Sequence, residues 1–345
     1  MSIGECADVA VIIVGFRNSG DIVQCFKALA DVTSPSFDVF ICENGGRASY
    51  QQLVDSLMGG SCGLRELASA DVRGEGARFI ASRYLRFPSR PSRVLIGCAT
   101  DNLGYAGGIN AWLRELIHVG GWKGIWILNP DTEPAPDALA ALVSRAEQGD
   151  KGMVGSTILE TNDCGVVRFR GGLHWQRFVA RTTAIGLNER IGDPFDLSAV
   201  EDAMDSPSGA SMYVTRECIE KIGLMDESFF LFDEDLDWGV RAKKLGVRLG
   251  YASESIVVHR GGTTTGSSGG SAMSRLAVYL QHRNTIRLVR RHFPWSLPTR
   301  IAVSGLYALR FLANSSPGNF FAVLQGVAAG LKGETGQPSW HRKLS

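Results

Sequence analysis

VAVIIVGFRNSG, residues 9–20, opens the part of the chain that decides the fold. Its first six residues form a continuous apolar run, which is typical of a parallel strand covered on both faces of a sheet. Helical spacing follows from Ile22 to Leu29. Further strands are predicted at Phe37–Cys42, Val94–Cys98 and Gly124–Leu128. Strands that alternate with helices at short spacing predict an α/β fold with an open sheet flanked by helices.

The connections between these strands are less regular. Residues 59–93 are rich in Gly, Ser and Arg, and are predicted to be an insertion with some helix near Arg78–Tyr84. A helix is predicted at Ile109–Ile117. Beyond residue 151 the pattern becomes strand-like, with two separate strands predicted at Val247–Tyr251 and Ser255–Val258.

Composition narrows the class of protein. The chain has 345 residues, 44% of them hydrophobic and 21% charged, as in ordinary globular proteins. A net charge of +1 gives no reason to expect a nucleic-acid partner. The seven scattered cysteines form no C-x-x-C pair, which suits a reducing, cytoplasmic compartment. The most apolar later stretch, Phe311–Leu331, is interrupted by the polar run Asn314–Asn319, so no membrane span is predicted.

Polar clusters follow four of the predicted strands, at residues 15–18, 43–46, 101–108 and 129–133. Ligands of open α/β sheets bind beyond the carboxyl ends of the strands, so these clusters predict one binding site. In the third cluster, Asn102, Gly104, Gly107 and Gly108 would let the backbone approach a phosphate or a sugar. An ordinary tight turn is the alternative for each glycine.

The run FFLFDEDLDW, residues 229–238, places four carboxylates among large apolar side chains. This pattern indicates acids held at the rim of a buried pocket, where one of them can act as a base. Helix capping and ion pairing with Arg241, Lys243 or Lys244 are the preferred interpretation for Asp233 and Asp237.

Together with these residues, the chain resembles the inverting, GT-A-fold glycosyltransferases of family 2, and most of all their rhamnosyltransferase-like branch. The resemblance rests on the motifs VIIVGFRNSG (11–20), ICEN (41–44), NLGYAGGIN (102–110), WILNPDTEPAPDAL (126–139), SGASMYVTRECIEKIGLMDESFFLFDEDLDWGVRAKKLG (208–246) and VVHRGG (257–262). It implies a GT-A-type, Rossmann-like open mixed sheet and a nucleotide-diphosphate sugar donor, dTDP-rhamnose or a UDP-sugar.

The resemblance also implies roles for the donor side of the site. Asp131, with Asn129 before it, matches the motif that binds metal and diphosphate, and His259 matches a histidine that holds the metal in some relatives. Glu133 is a candidate second carboxylate. Oxygen ligands suit Mg²⁺ or Mn²⁺, and a histidine ligand favours Mn²⁺. Glu43 stands where the family usually has an aspartate that contacts the nucleobase.

On the acceptor side, Asp235 matches the family's catalytic base and Glu234 is its neighbour in the Glu-Asp pair. The remaining predicted donor contacts are Gly15 and the polar or small residues of the third cluster, Asn102, Gly104 and Gly107.

The predicted catalytic domain spans residues 1–262, with a donor half at 9–150 and an acceptor half at 151–262. Residues 263–345 are predicted to form a flexible loop and amphipathic helices, and the loop, at 261–274, is predicted to be either a lid or a linker. The basic helices predict contact with an anionic membrane on the inner face of the plasma membrane and a glycan or lipid-linked acceptor. Packing against the catalytic domain or within a homo-oligomer is the alternative.

Two other functions compete with a transferase. One is an inactive protein that binds a sugar nucleotide or a membrane partner, and the other is a nucleotidyltransferase. A dehydrogenase or epimerase is disfavoured, because residues 15–20 read GFRNSG and do not match G-x-G-x-x-G.

Overall fold

A mixed sheet organises the computed structural model of the protein, which describes residues 6–60, 62–70, 77–260, 273–338 and 340. Within these residues the sheet has eleven strands in the order β3-β4-β5-β2-β1-β6-β13-β8-β14-β7, with β9 paired to β8. The strands are β1 (Val9–Gly15), β2 (Phe37–Glu43), β3 (Arg65–Ala70), β4 (Phe79–Arg86), β5 (Arg93–Ala99), β6 (Gly124–Leu128), β7 (Thr132–Pro134), β8 (Met153–Glu160), β9 (Val167–Arg170), β10 (Gly172–Gln176), β11 (Arg181–Ala184), β12 (Ser206–Pro207), β13 (Ser211–Thr215) and β14 (Leu249–His259). Strands β11, β10 and β12 form a small second sheet.

Helices cover both faces of the large sheet. They are α1 (Ser19–Asp31), α2 (Arg47–Met58), α3 (Gly104–Leu116), α4 (Ala138–Gly149), α5 (Leu197–Ala203), α6 (Arg216–Ile222), α7 (Glu234–Lys244), α8 (Arg275–His292), α9 (Leu297–Ala313) and α10 (Pro317–Lys332). Alternate residues of a strand point to opposite faces, so β1 contributes to two apolar cores. Its Ile12 packs in the core that contains α3, and its Ile13 packs in the core that contains α1, α2 and α4.

The predicted α/β fold class and the buried parallel strand are therefore confirmed. All seven residues of β1 are buried, and β1 runs parallel to β2 on one side and to β6 on the other. This arrangement brings the carboxyl ends of β1, β2 and β6 to one edge of the sheet.

Three predictions about local structure are wrong. The helix expected near Arg78–Tyr84 is strand β4, which pairs with β3 and with β5. The two strands expected between residues 247 and 258 are the single strand β14, whose register with β8 shifts between Ala252 and Ile256. Helix α3 begins at Gly104 rather than at Ile109, so most of the glycine-rich cluster is helical.

The C-terminal helices pack on the rest of the molecule. Helix α8 contacts α9 and α10. Its Arg283 is buried, whereas Arg275, Arg290 and Arg291 are exposed. Arg283 is fully buried and donates to the carbonyls of Phe229 and Gly336, and Arg291 pairs with Asp226 and Asp237. The contacts of Arg283 and Arg291 therefore fit the alternative prediction, in which α8 packs against the rest of the chain. The predicted membrane contact of the basic helices stays a prediction.

Across the described ranges, no helix combines the length and the apolar character needed to cross a bilayer. The predicted boundary at residue 262 and the predicted lid at 261–274 fall mostly in residues 261–272, which lie outside the described residues.

Candidate active site

A cleft of about 1050 Å³ opens at the carboxyl ends of the central strands. Each of the four predicted polar clusters contributes to its lining, through Phe16, Asn44, Asn102 and Asp131 among others. The acidic residues Asp233, Glu234 and Asp235 line the same cleft. The separate segments therefore meet in one cleft, as predicted, and its role as a binding site stays a prediction.

The segment that carries the acids is held in an unusual backbone conformation. Phe230, Phe232 and Asp233 have φ angles of 68°, 72° and 66°, in the left-handed region that non-glycine residues rarely adopt. Such conformations persist only where surrounding contacts fix them. Here the side-chain amide of Asn284, on α8, donates to the carbonyls of Phe229, Leu231 and Phe232 at 2.8, 2.7 and 3.1 Å.

The glycine-rich cluster supports this segment from the other side. Gly104 has a φ of +72°, and a Cβ atom at this position would lie only 2.2 Å from the carbonyl oxygen of Phe230. That oxygen accepts a hydrogen bond of 2.7 Å from the backbone N–H of Tyr105. Gly104 therefore permits direct contact between the start of α3 and the acidic segment.

Asp235 lies in the first turn of α7, facing the cleft. One carboxylate oxygen accepts from the backbone N–H of Gly209 at 3.1 Å, and the other accepts from the N–H of Leu236 at 2.8 Å. Burial raises the pKa of Asp235, while these two N–H groups favour its ionised form.

Glu234 is 5% exposed, and its Oε2 atom finds no hydrogen-bond partner among the described residues. Burial, and then the charge of Asp235, raise its pKa well above the ordinary value. Because Asp235 alone accepts backbone N–H groups through both oxygens, we infer that Glu234 keeps its proton while Asp235 ionises. These contacts therefore favour ionisation of Asp235 before that of Glu234.

Asp233 does not cap α7 with its side chain, contrary to the prediction. Its carboxylate accepts from the hydroxyl of Thr285 at 2.8 Å. Asp237 does form the predicted ion pair, with Arg241 at 2.9 Å.

Replacement of Asp233 by asparagine is expected to stabilise the protein more at high pH than at low pH. Burial raises the pKa of Asp233 to about 6, above the ordinary value of an aspartate, so the fold favours its protonated form. The free energy of unfolding therefore falls as pH rises through this pKa, and the neutral amide avoids the loss. Asparagine also tolerates the left-handed conformation. The advantage of Asp233→Asn should grow by about 1 kcal/mol between about pH 5 and about pH 8 in urea unfolding. The exposed Asp101→Asn is the control, and a pH-independent advantage would contradict the assignment.

Asp131 and His259 form a second group of polar side chains in the cleft. This group is called the Asp131 pole, and Asp235 with Glu234 is the other pole. Both residues are 8% exposed, and His259 Nε2 lies 3.1 Å from Asp131 Oδ1. The strands explain the contact, because His259 at the end of β14 pairs with Thr132 at the start of β7. Nδ1 of His259 is buried and has no hydrogen-bond partner within the described chain. A carboxylate beside an imidazole is a donor set that fits Mn²⁺ or Mg²⁺.

Glu133 does not join this pair. Side chains alternate along β7, so Thr132 is buried while Glu133 is exposed and forms an ion pair with Arg260. No three His, Cys, Asp or Glu side chains in the described ranges come together as a metal site. The predicted ligand set of Asp131, His259 and Glu133 is therefore not assembled.

The other predicted donor contacts occupy different positions. Asn102 lines the cleft, and its Oδ1 accepts from the N–H of Gly104 at 3.1 Å. Glu43 is not among the residues that line the cleft. Its Oε1 accepts from the backbone N–H groups of Arg17 and Gly45 at 3.1 and 2.8 Å. A Cβ at Gly15 would lie 2.7 Å from Oε2 of Glu43, so Gly15 makes room for that carboxylate.

Gly107 is buried inside α3, where an added Cβ would meet the side chain of Leu103 at 2.9 Å. It does not line the cleft, so its place in the structure is a packing position rather than a donor contact.

Comparison with known proteins identifies the family. Residues 90–284, more than half of the chain, match the family described as "Glycosyltransferase like family 2". The chain belongs to glycosyltransferase family 2. The match includes Asp131, Asp235 and His259 and extends to Asn284 in α8.

Relatives of this glycosyltransferase include an N-acetylglucosaminyl-diphospho-decaprenol L-rhamnosyltransferase of Mycobacterium tuberculosis. It is 29% identical over 232 residues, covering 61% of this chain and 71% of the relative. A low-salt glycan biosynthesis hexosyltransferase of Haloferax volcanii is 23% identical over 247 residues, covering 69% of this chain and 75% of the relative. These names agree that the protein is a glycosyltransferase enzyme.

Two solved structures support the GT-A fold. A mannosyltransferase from Pyrobaculum calidifontis, in complex with GDP-Man and Mn²⁺, has a TM-score of 0.50 and 13% identity over 96% of this chain and 89% of its own. GalNAc-T7, with UDP, GalNAc and Mn²⁺, has a TM-score of 0.54 and 13% identity over 83% of this chain and 48% of its own.

Two residues that support the glycosyltransferase cleft were not among the predicted site residues: Tyr105 lines the cleft, and Asn284 holds the acidic segment. Tyr105, whose pKa burial raises well above its ordinary value, stays protonated and points its hydroxyl to Asn129 Oδ1 at 2.8 Å and to the carbonyl of Gly209 at 2.7 Å. It thereby links the Asp131 pole to the loop that holds Asp235. Asn284 was missed because nothing in the sequence connects it to a segment more than fifty positions earlier. The signal available was the polar run that includes Arg283–Thr285, which lies between the apolar residues Leu280 and Ile286.

Proposed function

We propose that this glycosyltransferase moves a sugar with inversion from a nucleotide-diphosphate sugar to a hydroxyl of a glycan or lipid-linked acceptor. The observation that carries the proposal is the pairing of two poles in one cleft, Asp131 with His259 and Asp235 with Glu234. One pole suits the leaving diphosphate and the other suits the attacking hydroxyl. The donor half is proposed to be residues 9–150 and the acceptor half residues 151–262.

Asp235 is the proposed general base. Inversion requires the acceptor oxygen to attack the anomeric carbon from the face opposite the leaving group, and its proton must be removed as the new bond forms. The ionised carboxylate of Asp235 takes that proton while the bond to the nucleoside diphosphate breaks. Its hydrogen bonds to Gly209 and Leu236 fix its orientation. Glu234, protonated beside it, donates a hydrogen bond to the acceptor without adding a second negative charge.

Asp131 and His259 are the proposed metal ligands. A bound Mn²⁺ or Mg²⁺ would neutralise the charge that develops on the leaving diphosphate. The residues around it keep the donor in place: Asn129 is held by the Tyr105 hydroxyl, and Asn102 lines the neighbouring wall. Mn²⁺ in the two solved neighbours supports this assignment.

The proposed donor sugar is rhamnose, carried as dTDP-rhamnose, with a UDP-sugar as the second choice. The rhamnosyltransferase of Mycobacterium tuberculosis supports the sugar and a lipid-linked acceptor. Work on such an acceptor would place the chain at the inner face of the plasma membrane as a peripheral protein in cell-surface polysaccharide synthesis.

A donor panel tests the proposed function. Purified protein with Mn²⁺ or Mg²⁺ is mixed with dTDP-rhamnose, UDP-glucose, UDP-galactose or GDP-mannose, and thermal shift and nucleoside diphosphate release are followed. We expect dTDP-rhamnose to raise the melting temperature only with metal present, because the diphosphate and the metal bind together. The same mixtures with EDTA are the control. Stabilisation by GDP-mannose alone would contradict the choice of sugar, and no stabilisation by any donor would contradict the proposed site.

A further inference from the structure

The cleft extends beyond the acids toward α9, and the residues that line this part differ in kind from those around Asp131 and Asp235. It is lined by apolar side chains, including Leu173, Tyr307 and Phe311, and by arginines. Arg168 and Arg181 come from β9 and β11, and Arg300 and Arg310 come from α9. We propose that this end binds the phosphate of an acceptor whose apolar chain continues over α9 and α10 into a bilayer. The proposal deepens the proposed function and rests on it.

Two of these arginines are available to an anion. Arg181 and Arg310 are exposed, and neither pairs with a carboxylate among the residues that the structure describes. Arg300 and Arg168 are engaged already: Arg300 donates to the carbonyl of Ala180 at 3.3 Å, and Arg168 approaches Glu160 at 3.8 Å. Guanidinium groups recognise phosphate through paired N–H donors, so two of them on facing elements form a phosphate clamp.

An apolar surface lies beside this clamp. On α9, Leu306, Leu309 and Leu312 are 67%, 59% and 50% exposed, and Arg310 borders them on the side of the cleft. On α10, Phe321 and Leu324 are 54% and 45% exposed. These residues recur every three positions, so each helix presents one apolar stripe away from the core.

Two further exposed aromatic side chains lie near the start of α9. Phe178 is 97% exposed and Trp295 is 95% exposed, and their segments touch through the hydroxyl of Ser296, which donates to the carbonyl of Arg177. Exposed aromatic rings of this kind suit the interface between water and a bilayer.

The absence of acidic residues around this surface indicates what kind of molecule binds there. Residues 255–333, which include α8, α9 and α10, contain no aspartate or glutamate. An acid-free apolar face next to unpaired arginines complements lipids with phosphate headgroups. A phosphate held at Arg181 and Arg310 would place the sugar of the acceptor toward Asp235 and its lipid chain toward Leu306 and Leu309.

Binding in EDTA isolates the clamp from the metal-dependent donor site. Farnesyl diphosphate, inorganic diphosphate and farnesol are titrated into the full chain by calorimetry. We expect farnesyl diphosphate to bind at least about tenfold more tightly than either part alone, because both halves of the site are used. The double variant Arg181→Gln/Arg310→Gln should lose about tenfold for farnesyl diphosphate and little for farnesol. The control is Arg86→Gln, an exposed arginine on the β3–β4 hairpin at the far edge of the sheet.

Vesicle flotation tests the apolar face separately. The protein is mixed with vesicles of phosphatidylcholine and phosphatidylglycerol, and Leu306→Glu/Leu309→Glu should reduce the floating fraction about tenfold. The matched control is Leu67→Glu, whose side chain is 51% exposed on β3 and should float like the wild type.

Any one of three results would overturn the proposal. Farnesyl diphosphate could bind no better than inorganic diphosphate, the Arg181→Gln/Arg310→Gln variant could bind farnesyl diphosphate as tightly as the wild type, or all variants could float equally. Failure of the proposed function would give a different result: the donor panel would show no metal-dependent donor binding, while the protein still binds farnesyl diphosphate.

Discussion

The Asp235→Asn variant is expected to lose about 10³-fold in sugar transfer, the middle of the range for removal of a general base. The amide keeps the size and shape of the carboxylate, and one oxygen can still accept from the N–H of Gly209 or Leu236. It has no basic oxygen to take the acceptor proton. Nucleoside diphosphate release with a saturating donor and acceptor measures the loss.

Glu234→Gln is the matched control for this prediction. Because Glu234 is inferred to be protonated already, the amide replaces one neutral group by another, and transfer should stay within about tenfold of the wild type. If Glu234→Gln lost as much activity as Asp235→Asn, the roles of the two carboxyl groups would have to be exchanged.

The Asp131→Asn variant is expected to lose metal-dependent donor binding, and transfer should fall by about 10³-fold or more. Asp131 is the only carboxylate that the structure, over the residues it describes, places beside His259. Without its charge, His259 alone is a weak site for Mn²⁺ or Mg²⁺, which prefer anionic oxygen ligands. Thermal shift with donor and Mn²⁺ measures the binding.

Glu133→Gln is the control for Asp131→Asn. Its carboxylate is two positions away but faces Arg260, so donor stabilisation by Mn²⁺ should remain. Loss of that stabilisation in Glu133→Gln would show that Glu133 reaches the metal and that the arrangement of β7 changes when the donor binds.

Local patterns in the sequence were enough to predict the centre of the fold. The unbroken apolar run of β1 could be buried on both faces only in a parallel sheet, and the polar residues after each strand had to share one edge. The acids of residues 229–238 at the rim of a pocket followed from the same local reasoning, while the role of Asp235 came from the family resemblance. These features depend on residues that are neighbours in sequence.

The failed predictions depend on contacts between distant segments. Strand β4 resembles a helix in isolation and becomes a strand because β5 offers it an edge. The side chain of Glu133 faces solvent rather than Asp131 because β7 is a strand paired with β14, so its side chains alternate. No local sequence pattern predicts that pairing. The support that Asn284 gives to the acidic segment spans more than fifty residues.

Asp131 and Asp235 are proposed to serve two separable steps, donor binding and proton removal. The most direct test measures Mn²⁺-dependent donor binding and nucleoside diphosphate release on the same samples of wild type, Asp131→Asn and Asp235→Asn. We expect Asp235→Asn to bind the donor like the wild type but to release almost no nucleoside diphosphate. We expect Asp131→Asn neither to bind the donor in a Mn²⁺-dependent way nor to release nucleoside diphosphate. Release by Asp235→Asn at the wild-type rate, with donor and acceptor both bound, would contradict this proposal.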